Sequence, residues 1–247
     1  LRNTKLNGGA GMVVAVLRAC AGLRYLNLSR TRLRDDGADS LACGLVAEDI
    51  STGRLRPHLS LKFLALEENS LTAASGPCLA SAAMAVPSLE QLLLSRNELG
   101  DETAVAIGKG LVRAGPASGG MGAALTRLDL AENRLTADGL AALARSLGEH
   151  GYLRSLDLGG NEQVGVGLTE MSDAALQVID GLRSAAALED LHLWRCGLTD
   201  EAAGIVMDAE PPRLRLLNLA ANPFSSELRG RLIRHKGAGA LALSIRV

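Results

Sequence analysis

Leucines recur along the chain at one fixed spacing. Each copy of the pattern has a second leucine three positions after the first and a third two positions later. A small or polar residue, mostly asparagine, follows three positions after that. The seven copies begin at Leu23, Leu61, Leu89, Leu125, Leu153, Leu188 and Leu214, separated by 38, 28, 36, 28, 35 and 26 residues. This recurrence predicts a stack of one repeated unit, in which each unit packs against its neighbours.

Each unit is predicted to combine a short strand with a helix. After Leu125, Leu128 and Leu130 alternate with other residues, which is the period of a strand. Later in the same unit, Leu140 and Leu143 recur at helical spacing. An aspartate just ahead of each helix is expected to satisfy free backbone N–H groups. The sequence predicts helices over Asp36–Val46, Asp101–Leu111, Asp138–Leu147, Asp173–Leu182 and Asp200–Met207.

The two kinds of element predict a curved body. Parallel strands stack about 4.8 Å apart, whereas helices need about 10 Å. A layer of helices behind a layer of strands must therefore splay, which puts the strands on a concave side and the helices on a convex side. The predicted fold is an α/β solenoid shaped like a horseshoe, with a parallel sheet inside, helices outside and about eight repeats.

A ladder of asparagines marks the point where each strand turns away. Because an amide both donates and accepts hydrogen bonds, each asparagine is expected to hold the backbone of its own turn and of the next. Thr31 and Cys196 take this position in two units. The ladder consists of Asn69, Asn97, Asn133, Asn161 and Asn222.

The repeats predict a single domain over residues 1–247, with a partial first repeat at 1–22 and a terminal capping helix and strand at 225–247. Because the chain lacks an initial methionine and begins inside a repeat, we expect it to be a fragment of a longer protein. Insertions fall at Glu48–Ser60, Arg113–Ala124 and Glu162–Ser172, and the second, rich in glycine, is expected to form a mobile loop.

Composition narrows the range of partners. The net charge of −1 provides no global field to attract nucleic acid or an anionic membrane. No apolar run reaches the length of about 18 residues that a membrane span needs. The four cysteines form no C-x-x-C pair, which argues against zinc. Four reduced thiols fit a cytosolic or nuclear compartment, and we predict a cytoplasmic location. Cys20, Cys43 and Cys78 lie in apolar helical segments and are expected to be buried.

The frame L-x-x-L-x-L-x-x-N/C/T resembles that of ribonuclease-inhibitor-like leucine-rich repeats, from Leu1 to about Lys236. It reads L-R-Y-L-N-L-S-R-T from Leu23 and L-T-R-L-D-L-A-E-N from Leu125. The family includes ribonuclease inhibitor, the sensor regions of NOD-like receptors and the Ran GTPase-activating protein. The resemblance implies a helix-lined horseshoe that binds other proteins.

Three positions of each strand and one in the following turn are predicted to face solvent on the concave side. The single tryptophan, Trp194, falls there, and tryptophan, tyrosine and arginine dominate interface energetics. It either contacts a partner or lies flat over Gly159 and Gly160. Tyr25 and Phe63 form a second apolar spot. The candidate partner-binding residues are Trp194, Arg195, His192, Asp190, Asp157, Asp129, Arg127, Tyr25, Phe63 and Arg96.

Asp129, Asp157 and Asp190 cluster around His192, a combination that suggests acid–base chemistry or a divalent metal site. Neighbouring strands, however, bring such residues about 4.8 Å apart in any repeat protein. An open sheet also excludes no water, and catalysis needs a sheltered cleft. We therefore predict no catalytic residue, no metal, no cofactor and no small-molecule substrate. The carboxylates are better suited to meet a basic patch on a partner.

These observations predict a non-catalytic protein–protein interaction module, monomeric as a fragment, that binds a macromolecular partner on its concave face. One alternative is a Ran-type GTPase-activating protein, for which Arg30, Arg96 and Asn97 would be candidates. A second is the ligand-sensing repeat region of a NOD-like receptor, and a third is a spacer within a larger receptor.

Overall fold

A computed structural model describes residues 2–4, 10–49, 54–57, 60–115, 123–169, 172–235 and 244–246. Strands and helices alternate along most of this part of the chain. The elements, in chain order, are α1 (Ala10–Ala19), β1 (Tyr25–Asn27), α2 (Arg34–Leu45), β2 (Val46–Asp49), β3 (Arg54–Pro57), β4 (Phe63–Ala65), α3 (Gly76–Met84), β5 (Gln91–Leu93), α4 (Gly100–Ala114), β6 (Arg127–Asp129), α5 (Ala137–His150), β7 (Ser155–Asp157), α6 (Asp173–Ser184), β8 (Asp190–His192), α7 (Asp200–Asp208), β9 (Leu216–Asn218), α8 (Ser226–His235) and β10 (Ser244–Arg246).

The repeat strands form one parallel sheet. In the described residues it contains eight strands in the order β1-β4-β5-β6-β7-β8-β9-β10, so each strand pairs with the one from the next unit. The middle residues of the strands align in register, as Leu92 does with Leu128 and Leu128 with Leu156. These leucines are fully buried against the helical layer. The α/β solenoid predicted from the leucine spacing is therefore confirmed.

The helical layer packs beside the sheet, and its apolar residues join those of the strands in one continuous core. Leu140 and Leu143 of α5 are fully buried, as their spacing predicted. None of the helices in the described part of the chain is long and apolar enough to cross a membrane.

One insertion contains secondary structure that its sequence did not indicate. Within Glu48–Ser60, β3 pairs antiparallel with β2, which follows α2 directly. In the second insertion, α4 continues as far as Ala114, and residues 116–122 lie outside the described residues. The predicted mobile loop falls on those residues.

Hydroxyl groups, and not aspartates, cap three of the helices. Thr136 accepts a hydrogen bond from the N–H of Asp138 at the start of α5, and Ser172 and Thr199 do the same for α6 and α7. The prediction of aspartate caps was therefore wrong for these helices. The aspartates lie inside the first turn, where a negative charge still interacts favourably with the helix dipole.

Aspartates in the first turns of α2, α4 and α7 link neighbouring repeats. In α4, the carboxylate of Asp101 accepts hydrogen bonds from the Thr136 backbone N–H at 2.9 Å and the Thr136 hydroxyl at 2.6 Å. Asp35 binds Thr72 of the next unit in the same way. Asp200 likewise accepts from the N–H and hydroxyl of Ser225. One carboxylate thus serves its own helix and fixes the start of the next one.

The asparagine ladder connects each turn to the preceding one. The Asn161 side-chain oxygen accepts from the N–H groups of Asn133 at 2.8 Å and Leu135 at 3.0 Å. Its amide nitrogen donates to the carbonyl oxygens of Leu130 at 3.0 Å and Leu158 at 2.7 Å. Because Asn133 and Leu130 belong to the unit before, the predicted direction of the link, toward the next unit, was wrong. Buried side-chain amides thereby satisfy backbone groups that would otherwise lack partners.

Cys196 replaces the asparagine with fewer hydrogen bonds, as predicted. Its thiol donates to the Leu158 carbonyl oxygen at 3.3 Å. Burial raises the pKa of this thiol to about 12, so the sulfur stays protonated at neutral pH.

The other cysteines do not occupy the core. Cys20, Cys43 and Cys78 are all exposed, so the prediction that they are buried hydrophobes was wrong. The helices bury one stripe each, and in α2 and α3 these cysteines fall outside that stripe, which contains residues such as Leu41 and Leu79.

We expect Asn161→Ala to lower the free energy of unfolding by about 3 kcal/mol or more, because it removes four hydrogen bonds and leaves buried backbone groups unsatisfied. Cys196→Asn should raise it, since the amide restores the missing bonds. Urea unfolding followed by circular dichroism measures both, with the exposed Gln163→Ala as the control. A loss for Asn161→Ala no larger than for Gln163→Ala would contradict this role of the ladder.

Candidate functional site

The side of the sheet that faces away from the helices is polar and only partly open. The first positions of the strands, including Tyr25, Arg127 and Asp190, are exposed or half-buried, as predicted. Most residues at the third predicted position, two residues after each strand ends, are buried instead. Ser29 is 1% exposed and Ala131 is 5% exposed, so the prediction of three solvent-facing positions per strand was too generous. The buried residues at this third position are all small: Ser29, Ser95, Ala131 and Gly159.

Aromatic rings meet at the first-strand end of the sheet. Tyr25 on β1 is 69% exposed, and its ring centroid lies 6.0 Å from that of the half-buried Phe63 on β4. Strand pairing places the two residues directly opposite each other. The two rings thus form one apolar spot at this end of the sheet, and its contact with a partner stays a prediction.

Two aspartates lie next to each other in the middle of the sheet. Asp129 on β6 and Asp157 on β7 are aligned by strand pairing. Each carboxylate accepts a hydrogen bond from the N–H two residues later, Ala131 at 3.1 Å and Gly159 at 2.9 Å. Both side chains are half-buried beside the turn. Neither charge is required for the local backbone geometry, as the equivalent positions on other strands show.

Asparagines accept the equivalent hydrogen bond on β1 and β9, toward the two ends of the sheet. Asn27 on β1 accepts from the N–H of Ser29 at 2.9 Å, and Asn218 on β9 accepts from Ala220 at 3.2 Å. A neutral amide oxygen is thus sufficient for this turn. The carboxylates of Asp129 and Asp157 add charge where the fold needs only an acceptor.

Burial makes the Asp129 charge unfavourable. It raises the pKa of Asp129 to about 6, and the nearby charges of Asp157 and Glu67 contribute in the same direction. The hydrogen bond from Ala131 and the positive charge of Arg127 oppose the rise. At neutral pH the group is mostly ionised, at a cost in free energy of folding.

A third carboxylate, that of Glu67, lines the same hollow as Asp129 and Asp157. Glu67 accepts hydrogen bonds from the hydroxyls of Ser29 at 3.1 Å and Ser95 at 3.2 Å. Sequence reasoning did not select Glu67, although its position just after β4 matches that of Trp194 after β8. These carboxylates border this hollow of about 260 Å³, which is lined by Glu67, Glu68, Asp129, Glu132 and Asp157, by Arg2, Arg30 and Arg96, and by Ser95, Ala131 and Trp194.

The indole of Trp194 lies over two glycines of the preceding repeat. A Cβ atom at Gly159 would sit 2.0 Å from the indole Nε1, and one at Gly160 would be 3.3 Å from the ring. Any side chain at Gly159 would therefore displace the ring. This arrangement matches the second of the two alternatives for Trp194, a ring lying flat over the glycines. The ring remains half-buried, so part of its surface borders the hollow.

Arginines at the turns are engaged in ion pairs. Arg96 bonds Glu68 at 2.9 Å and Glu132 at 3.2 Å, and Arg30 bonds Glu68 at 2.7 Å. Farther along, Arg195 bonds Glu162 at 2.8 Å. These turn arginines are thus neutralised at the rim of the sheet, whereas the carboxylates on the strands beside them are not.

His192 makes no hydrogen bond to an aspartate among the described residues. Its Nδ1 lies 3.4 Å from the side-chain nitrogen of Asn218 on β9. Asp157 is the strand neighbour of His192 but uses its carboxylate to hold Gly159. In the described part of the chain, no group of three or more histidine, cysteine, aspartate or glutamate side chains is arranged to hold a metal ion.

Comparison with known proteins points to one family. A family model described as "Leucine Rich repeat" matches residues 19–42 and 124–144. Ribonuclease inhibitor of Mus musculus is 31% identical over 206 residues, which cover 82% of this chain and 40% of the mouse protein. Ribonuclease inhibitor of Sus scrofa is 32% identical over 180 residues, covering 71% of this chain and 36% of the pig protein. The chain thus spans about two fifths of the length of these relatives.

A similar solved structure is that of human 5T4, also called Wnt-activated inhibitory factor 1 or trophoblast glycoprotein. It is 24% identical, with a TM-score of 0.47, and the match covers 90% of this chain and 68% of the human one.

We expect Asp129→Asn to stabilise the protein at pH 7 by about 1–2 kcal/mol, because the amide keeps the bond from Ala131 and removes a charge that is costly to bury. The folded state holds the Asp129 proton more tightly than the unfolded chain, whose pKa is near 3.8. Stability of the native protein should therefore rise as pH falls from above 6 toward 4. The advantage of the variant should shrink over the same range.

Thermal unfolding midpoints at pH 7 and pH 4 measure this effect. Asp190→Asn, which changes the net charge equally on an adjacent part of the sheet, is the control. An Asp129→Asn variant that is no more stable than Asp190→Asn at pH 7 would contradict the role given to burial.

Proposed function

We propose that this chain, which belongs to the ribonuclease-inhibitor-like leucine-rich repeat family, binds a protein partner on the concave face of its sheet and does not catalyse a reaction. A protein-binding repeat module is the general expectation for this family. The observation that carries the finer proposal is the presence of strand carboxylates, at Asp129 and Asp157, where the fold requires only a neutral acceptor.

The electrostatics of the face favour a basic partner. The hollow is lined by the carboxylates of Glu67, Glu68, Asp129, Glu132 and Asp157 and by the cations Arg2, Arg30 and Arg96, so acidic groups are in excess. Arg30 and Arg96 are paired with Glu68 and Glu132, whereas Glu67, Asp129 and Asp157 form no ion pair within the described residues. Burial is the main cause of the raised pKa of Asp129, and repulsion from the charges of Asp157 and Glu67 adds to it. A lysine or arginine from a partner would relieve that repulsion. Such complementarity increases the association rate and the specificity of an interface.

Aromatic groups supply apolar contact area on either side of the acidic centre. Trp194 borders the hollow, and the exposed ring of Tyr25 lies with Phe63 at the other end of the sheet. Buried tryptophan and tyrosine side chains are frequent at the energetic centres of interfaces. In the proposed complex the partner covers the outer face of the indole, while Gly159 and Gly160 support the inner one.

The paired arginines support a binding role over GTPase activation. Arg30 and Arg96, the candidates for that alternative, both bond Glu68. An arginine that neutralises charge on a GTPase would first have to leave this network.

The proposal also places the protein in the cytoplasm, where the thiols of Cys43 and Cys78 would remain reduced.

Affinity capture from lysate with quantitative mass spectrometry tests the proposal. We expect the double substitution of Asp129 and Asp157 by Asn to reduce capture of the main partner by about tenfold or more. Trp194→Ala should reduce it as well, because an interface loses an aromatic contact. The captured protein should carry a lysine- or arginine-rich surface, and the interaction should weaken at high salt.

A double substitution by Asn at Asp180 and Asp208, both exposed on helices, is the charge-matched control. It should leave capture unchanged. Equal losses for the strand and helix variants would show that net charge and not the concave face governs binding, and the proposal would fail.

A further inference from the structure

The outer layer contains a groove between its two longest described helices. α4 has 15 residues and α5 has 14, and they lie side by side. The groove has a volume of about 610 Å³. Its apolar and small lining residues recur at helical spacing, which puts them on the facing sides of the two helices; they include Val105, Gly108, Val112, Ala142 and Ser146.

Small residues form the floor of this groove. Gly108, Ala142 and Ser146 are buried, and a Cβ atom at Gly108 would lie 3.0 Å from the Ala142 carbonyl oxygen. The two backbones therefore approach closely along the floor. Val105, 36% exposed, and the half-buried Val112 rise above it as an apolar wall.

Cations surround the apolar floor. Lys109, Arg113 and Arg145 are exposed and line the groove, with Glu149 as the one acidic residue among its lining. Within the described residues these three cations form no ion pair. The turn arginines on the other layer differ, since Arg30 and Arg96 are both held by glutamates.

The helix dipole explains only part of this charge. Arg113 lies in the last turn of α4, where a positive charge stabilises the helix end. Lys109 and Arg145 lie before the last turn of α4 and α5, respectively. The helix dipole therefore does not account for their placement beside the groove.

We infer that this groove binds an acidic amphipathic helix of a protein partner. The apolar face of the helix packs on the floor between α4 and α5, as a third helix packs into the groove of two others. Its carboxylates reach Lys109, Arg113 and Arg145. The lining runs over residues 105–113 of α4 and 142–149 of α5, about two turns of each helix, a length that a bound helix can follow. The inference goes beyond the proposed function, because it concerns the other layer and a partner of opposite charge.

A synthetic peptide tests it by fluorescence anisotropy. The probe has leucines at three- and four-residue spacing on one helical face and glutamates on the other. We expect saturable binding to the full chain, and binding weaker by about tenfold or more for a scrambled peptide of the same composition. A version with lysines in place of the glutamates should not bind.

Charge reversal locates the site. Lys109→Glu combined with Arg145→Glu should weaken peptide binding by about tenfold or more, and circular dichroism should show that the variant stays folded, because both side chains are exposed. Arg24→Glu combined with Arg213→Glu, also exposed and away from the groove, is the charge-matched control and should bind normally. The Asp129→Asn and Asp157→Asn double variant should bind the peptide normally too, so each proposal can fail without the other.

Three results would overturn the inference. One is the absence of saturable peptide binding up to about 1 mM. Another is equal binding of the scrambled peptide or of the Lys109 and Arg145 variant. The third is sedimentation with phosphatidylglycerol vesicles in the absence of peptide binding, which would assign the groove to an anionic membrane surface.

Discussion

The turn that follows each strand sets the constraint on which this structure depends. The chain leaves the sheet through a left-handed residue at each turn, such as Arg30, Glu68, Arg96 or Glu132. This reversal brings backbone N–H and C=O groups into the interior, where they must find partners. The buried asparagines supply them, and each amide joins its own turn to the one before. Because the link repeats, neighbouring strands are held in one register, and every inward-facing row of side chains follows from it.

That constraint explains how much of the fold the sequence predicts. A fixed register needs a fixed spacing, so the leucines alone locate the strands and the core. The direction of the asparagine link was mispredicted because an amide can bond either neighbour, and only the path of the turn decides. Aspartate caps were mispredicted because Thr136, Ser172 and Thr199 were free to cap as well. The β2–β3 hairpin has no leucine pattern of its own, so periodicity could not find it.

The sequence predicted which residues lie on the face of the candidate site, but not how far each of them is buried. Alternation identifies which side chains leave the core, and it selected Asp129, Asp157 and Trp194 correctly as members of the inner face. It could not show that the residues after the strands are mostly closed off, since that depends on how the turn folds down. It also overlooked Glu67, whose partners Ser29 and Ser95 come from the repeats on either side. Contacts between repeats are set by three-dimensional stacking and leave little trace within one repeat.

Comparing equivalent positions separates charges that the fold requires from charges that it does not. Asparagine and aspartate perform the same backbone task at the ends and the centre of the sheet, and only the aspartates carry a charge with an energetic cost. On the rim, charges cancel in ion pairs. Asp129 and Asp157 therefore carry charge on the strands that the fold neither requires nor pairs.

The central claim is that a basic partner binds the carboxylates of the concave face. Zero-length carbodiimide cross-linking of the native complex, followed by peptide sequencing, tests this claim most directly. The reagent joins a carboxylate only to an amine in contact with it. If the concave face binds a basic partner, lysines of that partner will be joined to Glu67, Asp129 or Asp157. Partner lysines joined only to carboxylates of the helices, with none on the strands, would contradict the account.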